Sequence, residues 1–419
     1  MKKRDLLLAL VFVFPVLATE SWAASEKVLY NFKGGADGAY PSSPLLIDSA
    51  GNLYGTTSTG GSGRNCPQGE VPGCGVIYKL VLVNGGWQQN VIYTFQGGSD
   101  GAYPVGNLVF GAFGNLYGAA EGGGVGGCLD GCGVIYELSP NPDGDWVETV
   151  VYSFQVSPDG LSPLGLTADT TGNLYGTTFA GGANDRGAVF ELSPPAQKGG
   201  PWTEKIIYNL RNDEIEFNPG LVFDGDGNLY GTYFQQYDCY VGCGAVFQLK
   251  PLGGSWQEAD IVDLPGGGNG GEPMAPVIVD DQGNVYGTAS IGGNNFGTVF
   301  EISPHSGHWK PAMLYNFCGR NQCSDGINPY AGLVRDASGV LYGTTSGGYV
   351  GTGPGVVFKL VHTKYGWRES VLHTFSGGSD GSRPEQSLIL DGQGNLYGTT
   401  NPYPYGQNVG YGTVFEVTP

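Results

Sequence analysis

The hexapeptide Gly-Asn-Leu-Tyr-Gly-Thr at residues 51–56 returns six more times, with small variations, at nearly constant intervals. Successive copies of its tyrosine are separated by 63, 58, 55, 56, 56 and 55 residues. These tyrosines are Tyr54, Tyr117, Tyr175, Tyr230, Tyr286, Tyr342 and Tyr397. A period of this length is typical of repeat architectures, because each unit can bury its apolar face only against its neighbours. The chain is therefore predicted to be an array of seven similar units.

Each unit contains four strand-like segments, which we name A to D in chain order. In the first complete copy they are Ser43–Asp48, Asn52–Thr57, Gly75–Leu80 and Trp87–Phe95. The segments are short, rich in β-branched and aromatic residues, and bounded by Gly, Pro, Asn or Asp, which is typical of β-strands. No window shows the sustained 3.6-residue apolar period of an amphipathic helix. The predicted fold class is all-β, with four strands in each unit.

The D segment begins with tryptophan in only six copies, whereas A, B and C each occur seven times. Residues Glu26–Phe32 match the D pattern without the tryptophan, and they precede the first A segment. We therefore predict that this N-terminal segment supplies the outer strand of the last sheet and closes a ring. Four-stranded sheets around an axis form a β-propeller, here with seven blades in a single domain over residues 24–419. A β-solenoid is the alternative, but it does not explain the displaced D segment.

The tryptophan that opens each D segment shares one strand face with hydrophobic residues at even spacings after it. Such a stripe of Trp and Tyr is compatible with stacking on sugars and with packing between sheets. Packing between neighbouring blades is the preferred interpretation, because nearly every unit carries the stripe. The six tryptophans are Trp87, Trp146, Trp202, Trp256, Trp309 and Trp367.

The N-terminus has the features of a secretory signal peptide over residues 1–23. A basic start is followed by the apolar run Leu6–Ala18 and by Ser21-Trp22-Ala23, which ends in a small residue at the cleavage position. An uncleaved anchor is the alternative, although the run is short for a bilayer span of about 20 residues. The sequence thus predicts a secreted protein with no membrane span in the mature chain, and leaves the periplasm or the cell surface open.

Export makes the eight cysteines interpretable as disulfides. They form four close pairs, each within one Gly-rich loop, and metal binding is the alternative for such pairs. Because no histidine accompanies them and pairs on separate blades would lie far apart, local disulfides are preferred. The pairs are Cys66/Cys74, Cys128/Cys132, Cys239/Cys243 and Cys318/Cys323.

A formal net charge of −19 argues against nucleic acid and anionic membranes as partners. No His, Asp and Glu set has metal-ligand spacing, and no nucleotide-binding or nucleophile-elbow motif is present. No cofactor is therefore expected, with calcium left open. The segment Asp224–Asn228 resembles the start of a calcium loop, but it lacks the downstream Glu and is interpreted as a hairpin turn.

The D-to-A connections carry an Asp-Gly pair followed by proline in five units. In a propeller these loops and the B-to-C loops share one face, so the acids would surround the channel mouth. Blades four and five have Ile215 and Asn269 at the Asp position, with Glu216 and Glu272 close by. Turn formation is the preferred role of the five Asp residues, and ligand binding is the alternative. The candidate ligand-binding residues are Asp37, Asp100, Asp159, Glu216, Glu272, Asp325, Asp380, Tyr233 and Tyr237.

The repeated blocks Asp-Gly-x-x-Pro, Gly-Asn-Leu-Tyr-Gly-Thr and Gly-(Val/Thr)-Val-Phe-Glu-Leu resemble the GloVer tandem repeat. This repeat occurs in exported bacterial proteins grouped as choice-of-anchor tandem repeat proteins, and the resemblance covers residues 26–419. It implies export, often with a C-terminal surface anchor, and it implies no particular activity. No anchor-like segment follows the last repeat here, so we expect free release or association through a partner.

These observations predict a binding or scaffold module whose ligand is an extracellular glycan or protein, held on the D-to-A/B-to-C face. The alternative is a carbohydrate-active hydrolase or lyase that uses acidic residues of that face, which would need two facing carboxylates. A purely structural role is a third hypothesis. The absence of catalytic motifs favours a protein that is not an enzyme, and the fold alone does not decide between these functions. The sequence does not predict the oligomeric state.

Overall fold

The computed structural model describes residues 24–66, 71–156, 158–197, 199–211, 214–235, 243–266, 270–347, 353–402 and 410–419. For the strand residues Ile215, Glu216, Phe234, Gln235 and Asp260 it describes the backbone alone. The described residues form seven separate antiparallel sheets, each built mainly from one repeat. This arrangement confirms the predicted all-β, seven-bladed propeller.

Each blade runs from an inner A strand, often in two pieces, to an outer D strand. Blades one to three contain β2 (Ala39–Pro41), β3 (Leu46–Ile47), β4 (Leu53–Thr59), β5 (Val76–Val83) and β6 (Gly86–Thr94); β7 (Ala102–Phe110), β8 (Leu116–Gly122), β9 (Val134–Pro140) and β10 (Trp146–Ser153); and β11 (Gly160–Ala168), β12 (Leu174–Gly181), β13 (Ala188–Ser193) and β14 (Thr203–Asn209).

Blades four to seven follow the same order, and the last one recruits the first strand of the chain. They contain β15 (Ile215–Phe217), β16 (Val222–Phe223), β17 (Leu229–Gln235), β18 (Cys243–Leu252) and β19 (Ser255–Leu264); β20 (Ile278–Val279), β21 (Val285–Ala289), β22 (Thr298–His305) and β23 (His308–Asn316); β24 (Val334–Arg335), β25 (Leu341–Thr345), β26 (Val356–Thr363) and β27 (Gly366–Thr374); and β28 (Ile389–Leu390), β29 (Leu396–Thr400), β30 (Thr413–Thr418) and β1 (Ser25–Asn31). Two single-turn 3₁₀ segments, Ala112–Gly114 and Asn321–Cys323, lie in loops.

The N-terminal strand closes the ring as predicted. Strand β1 pairs antiparallel with β30, from Ser25 opposite Thr418 to Asn31 opposite Thr413. The order of the seventh sheet is therefore β1-β30-β29-β28, with the two ends of the ring joined by backbone hydrogen bonds. This closure protects strand edges that an open array would leave exposed.

The last two residues of the repeated hexapeptide, a glycine and a threonine, have packing roles. At Gly231 a Cβ atom would lie 2.5 Å from Cζ of Phe247, so only glycine lets strand C bring its aromatic ring this close. The same glycine faces a Tyr or Phe of strand C in the other six blades. The threonine ties blades together: the hydroxyl of Thr288, for example, donates to the carbonyl of Ala331 in the next blade at 2.8 Å. Packing therefore accounts for the glycine and the threonine that end the hexapeptide.

The tyrosine of the hexapeptide and the aspartate of the preceding A-to-B turn form a closed hydrogen-bond set. Asp224 accepts hydrogen bonds from the backbone N–H of Asp226 and Asn228, each at 2.9 Å, and from the hydroxyl of Tyr230 at 2.9 Å. The side-chain amide of Asn228 donates a fourth at 2.7 Å. This saturation supports the hairpin-turn interpretation of the segment that resembles a calcium loop.

The D-strand tryptophans pack between blades. Trp146 lies edge-on to Tyr54 of the preceding blade, with ring centroids 6.4 Å apart, and Trp256 lies 5.8 Å from Tyr175 in the same way. Edge-to-face contacts of this kind add to the apolar burial at each interface. The arrangement supports the packing interpretation of the aromatic stripe.

Three of the four predicted disulfides lie within the described residues: Cys66–Cys74, Cys128–Cys132 and Cys318–Cys323. Cys243 is also disulfide-bonded, while its predicted partner Cys239 lies outside the described residues. Over the described ranges, no helix has the length and apolar character needed to cross a membrane. The predicted signal peptide lies outside the described residues and stays a prediction.

Candidate ligand-binding site

The D-to-A loops and the B-to-C loops interlock on one face of the ring. The backbone N–H of Tyr103, just before Pro104, donates to the carbonyl of Cys74 in the preceding blade at 2.9 Å. Pro104 in turn packs on Gly75, where a Cβ atom would lie 2.5 Å from the proline ring. Equivalent backbone bonds begin at Tyr40, Ser162, Asn328 and Arg383. The two kinds of loop therefore form one continuous surface around the axis.

In six blades a proline stands at the position of Pro104, and the residue before it has a left-handed backbone conformation. The φ values are 58° at Tyr40 and Tyr103, 54° at Ser162, 50° at Glu272, 53° at Asn328 and 52° at Arg383. A non-glycine residue rarely adopts this conformation, and a following proline disfavours the helical region further. The interlocking of the loops holds these residues in a strained conformation, and such strain is often found at functional sites.

The five Asp-Gly aspartates are each bonded within their own turn. Asp100 accepts hydrogen bonds from the Tyr93 hydroxyl at 3.0 Å and from the backbone N–H of Gln96 and Gly98 at 2.8 and 3.1 Å. Asp37, Asp159 and Asp325 have matching partners, with Tyr30, Tyr152 and Tyr315 as the tyrosines. At Asp380 the tyrosine is replaced by His373, whose Nε2 lies 3.5 Å from Oδ2. This geometry supports the turn interpretation, and ligand binding by these residues stays a prediction.

Blade four builds the same turn with a different residue. Glu214 accepts hydrogen bonds from the Tyr208 hydroxyl at 3.0 Å and from the Arg211 backbone N–H at 2.6 Å, and it is only 1% exposed. The acid thus stands six residues after its tyrosine, whereas this spacing is seven at Asp37, Asp100 and Asp159 and ten at Asp325. Sequence reasoning placed Ile215 at this position, because it aligned the loop on the Asp-Gly spacing and not on the tyrosine.

The remaining candidates of blades four and five have different surroundings. Tyr233 is 2% exposed and stacks on Phe247, with ring centroids 6.2 Å apart, so it belongs to the hydrophobic core. Glu272 accepts a hydrogen bond from the Ser290 hydroxyl at 3.1 Å. The Glu216 side chain and Tyr237 lie outside the described residues.

A second carboxylate from strand D faces several of these turns. In blades two and three, Glu148 and Glu204 lie near Asp100 and Asp159, and burial together with these neighbouring carboxylates raises the pKa of each to about 7. In blade six, Arg320 bridges to Glu369 at 2.5 Å beside Asp325. Blade four places Arg211 2.6 Å from Glu258. The same interface is therefore neutralised by arginine in two blades, whereas in two others it holds a carboxylate pair.

An axial channel opens where the seven A strands converge. It has a volume of about 760 Å³ and is lined by residues of every blade. The position directly after the proline, or after Phe217 in blade four, lines it in each case: Ser42, Val105, Leu164, Asn218, Met274, Tyr330 and Glu385. Seven copies of this position thus carry seven different residues, although the flanking structural positions repeat closely.

The wall of the axial channel has a charged side in blade seven and an uncharged side in blades two and three, where Asn107 supplies a neutral amide. Blades six and seven contribute Tyr330, Arg383, Glu385 and Asn401, whereas blades two and three contribute Val105 and Leu164. Arg383 Nε donates to Glu385 Oε1 at 2.9 Å, and the amide of Asn401 lies 3.5 Å from Oε2 of the same carboxylate.

Tyr330 lies within reach of these charged groups and of a further acid of blade five. Burial raises the pKa of the Tyr330 phenol, Glu272 and Glu385 raise it further, and Arg383 lowers it. The phenol therefore stays protonated at neutral pH and is able to donate a hydrogen bond.

Sequence reasoning missed the channel residues Tyr330, Arg383, Glu385 and Asn401. A signal was present: the first three lie within one residue of a repeated proline, and the residue directly after that proline is different in each copy. That variability shows that the repeat does not require one residue type at the position after the proline, although Ser42 and Asn218 use their side chains to bond the next blade.

Family comparison agrees with the repeat pattern. Residues 126–334, about half of the chain, match the family model of the Gloeobacter/Verrucomicrobia repeat. The chain belongs to this repeat family. The match confirms the family that the sequence blocks resemble. No curated protein matches the sequence.

Solved structures share the propeller fold at low sequence identity. An ulvan lyase described as a new polysaccharide lyase family is 10% identical, with a TM-score of 0.54 over 93% of this chain and 94% of that chain. The polysaccharide lyase Uly1 is 10% identical, with a TM-score of 0.53 over 90% and 89%. PorZ, a surface component of the type-IX secretion system of Porphyromonas gingivalis, is 14% identical, with a TM-score of 0.50 over 89% and 46%. At these identities the similarity establishes the fold alone.

Proposed function

We propose that this repeat-family propeller is an exported protein that binds a glycan in the axial channel. The observation that carries the proposal is the variation at the channel wall. The repeated residues are used in turns, in interlocking loops and in blade packing, whereas the seven channel positions that follow the proline, or Phe217 in blade four, carry seven different residues. A wall that departs from the repeat is what an asymmetric ligand requires. The disulfides support an oxidising, extracellular setting.

The two-sided wall suits a sugar. A pyranose ring presents hydroxyl groups at its edge and C–H groups on its faces, so it needs polar partners on one side and apolar contact on the other. The arc of Tyr330, Arg383, Glu385 and Asn401 faces the arc of Val105 and Leu164 in this way. The volume of about 760 Å³ also falls in the usual range for ligand sites, about 300–1,000 Å³. Two proteins with this fold are polysaccharide lyases, which makes polysaccharides a sensible first choice of probe.

Cleavage of the bound glycan is the second candidate function. The observation in its favour is that Glu272 and Glu385 both influence the phenol of Tyr330, so two carboxylates lie around one part of the axial channel. Hydrolysis of a glycosidic bond uses two carboxyl groups about 5–10 Å apart. Product analysis on any glycan that binds separates this function from binding alone.

The test is a titration of the mature protein with a panel of oligosaccharides, followed by calorimetry and thermal melting. A ligand that binds only the folded state at about 100 times its Kd stabilises it by about 2.7 kcal/mol. Tyr330→Ala is expected to abolish the response. Tyr365→Ala is the matched control, because Tyr365 is 75% exposed on the C-to-D hairpin of the same blade, at the opposite face. No response to any glycan, or equal responses from both variants, would refute the proposal.

A further inference from the structure

The charged groups at the wall of the axial channel already neutralise one another. Among the described residues that line it, Arg383 has the only basic side chain and Glu385 the only acidic one. Both Nε and Nη2 of Arg383 point to Oε1 of Glu385. The Nε/Nη2 edge of the guanidinium, one of the two edges that recognise a carboxylate or sulfate in a bidentate manner, is thus occupied by a protein carboxylate.

Among the described residues, the charged groups that act on Tyr330 are two glutamates and one arginine, Arg383. Glu272 lies close enough to Tyr330 to raise the pKa of its phenol, and among the described residues the Glu272 carboxylate is hydrogen-bonded only by the neutral hydroxyl of Ser290. The chain as a whole has a formal net charge of −19. An anionic ligand entering the axial channel would therefore meet two carboxylates and one arginine that is already paired.

The groups that remain for a ligand are neutral. The side-chain amides of Asn107 and Gln386 line the axial channel from blades two and seven. Within the described contacts, neither amide is hydrogen-bonded to protein, and the same is true of the Tyr330 hydroxyl. Amides and phenols exchange hydrogen bonds with sugar hydroxyls without any need for a ligand charge.

We propose that the axial channel selects uncharged glycans and discriminates against glycans that carry carboxylate or sulfate groups. This inference rests on the proposed function and gives its ligand class. Glu385 sets the selectivity, since it both occupies Arg383 and contributes negative charge. Replacing it by glutamine removes the charge and frees the guanidinium for an anionic sugar, while the size of the side chain is kept.

The experiment uses matched sugars. Calorimetry on the full mature chain compares neutral hexamers of β-1,4-linked glucose, xylose and mannose with C6-oxidised cellohexaose, which differs from cellohexaose only by its carboxylates. A neutral hexamer is expected to bind at least about tenfold more tightly than the oxidised one. In Glu385→Gln the affinity for the oxidised sugar is expected to rise about tenfold, so that the preference for the neutral hexamer over the oxidised one becomes smaller. Asp281→Asn is the charge-matched control, since Asp281 is exposed on an A-to-B turn of the opposite face.

The outcomes separate the two proposals. Equal or tighter binding of the oxidised sugar by the natural chain would overturn the selectivity while leaving glycan binding in place. An unchanged preference in Glu385→Gln, with an unchanged melting temperature, would likewise overturn the role of Glu385. No binding of any sugar would refute the proposed function and the selectivity together.

Discussion

The carboxylate pairs between the first three blades predict a stability that falls as pH rises. Glu148 and Glu204 each have an Oε1 atom that is buried without a hydrogen-bond partner in the described structure. Burial and the nearby Asp100 and Asp159 raise their pKa to about 7, from the ordinary value of 4.5. Each glutamate is thus easily accommodated when protonated, and its charged form is poorly solvated.

The sign and size of the effect follow from proton linkage. Because the folded-state pKa is raised, the folded protein binds more protons than the unfolded chain between pH 4.5 and 7. The stabilisation is fully present below pH 4.5 and is lost as pH rises through 7. A difference of about 2.5 in pKa corresponds to about 3.4 kcal/mol at most. These side chains are partly exposed, so solvent screening reduces the expected loss to about 1–1.5 kcal/mol per site.

The perturbation is Glu148→Gln combined with Glu204→Gln, assayed by thermal melting and urea unfolding at pH 5 and pH 8. The amide has the shape of the protonated acid and does not ionise, so the variant is expected to gain about 2–3 kcal/mol over the natural protein at pH 8 and little at pH 5. Asp143→Asn is the control, because Asp143 is exposed on a C-to-D hairpin of blade two. An equal effect of the double substitution at both pH values would refute the electrostatic reasoning.

Three further predictions follow from packing, charge and ring closure. Gly231→Ala is expected to destabilise the fold by about 1–3 kcal/mol in urea unfolding, because the new methyl group meets a buried phenylalanine ring, whereas Gly225→Ala, with no atom within 4 Å of its Cβ position, should have a small effect. Arg320→Ala is expected to lose about 2–3 kcal/mol at pH 8 and less at pH 5, since it leaves a buried glutamate unpaired, and the exposed Arg335→Ala should show no such pH dependence. Deleting residues 24–31 is expected to abolish the single cooperative melt by opening the ring, and appending the same residues after the last strand through a short turn should restore it.

The blade architecture could be predicted because its determinants are local and repeated. Gly231, for example, is required by a ring on the adjacent strand of its own blade, and Asp224 is satisfied entirely within one turn. The displaced D segment before the first unit identified the ring closure, because pairing it with the last C strand completes the seventh sheet. The turn acid of blade four could not be predicted from the Asp-Gly pattern. Glu214 accepts the hydrogen bond from the tyrosine of its turn, but it is not followed by glycine.

By itself, the sequence determined the number of blades, the strand order within each, the ring closure and three close cysteine pairs. These features depend on residues that lie next to each other along the chain or recur with its period. Only the tertiary structure decided what the axial channel contains. Ser42, Tyr330 and Glu385 share that wall although they lie between 55 and 343 residues apart in the sequence. The repeat specifies how each blade packs on the next, whereas the chemistry at the axis depends on seven side chains that occupy the same position of each unit but meet only when the ring closes.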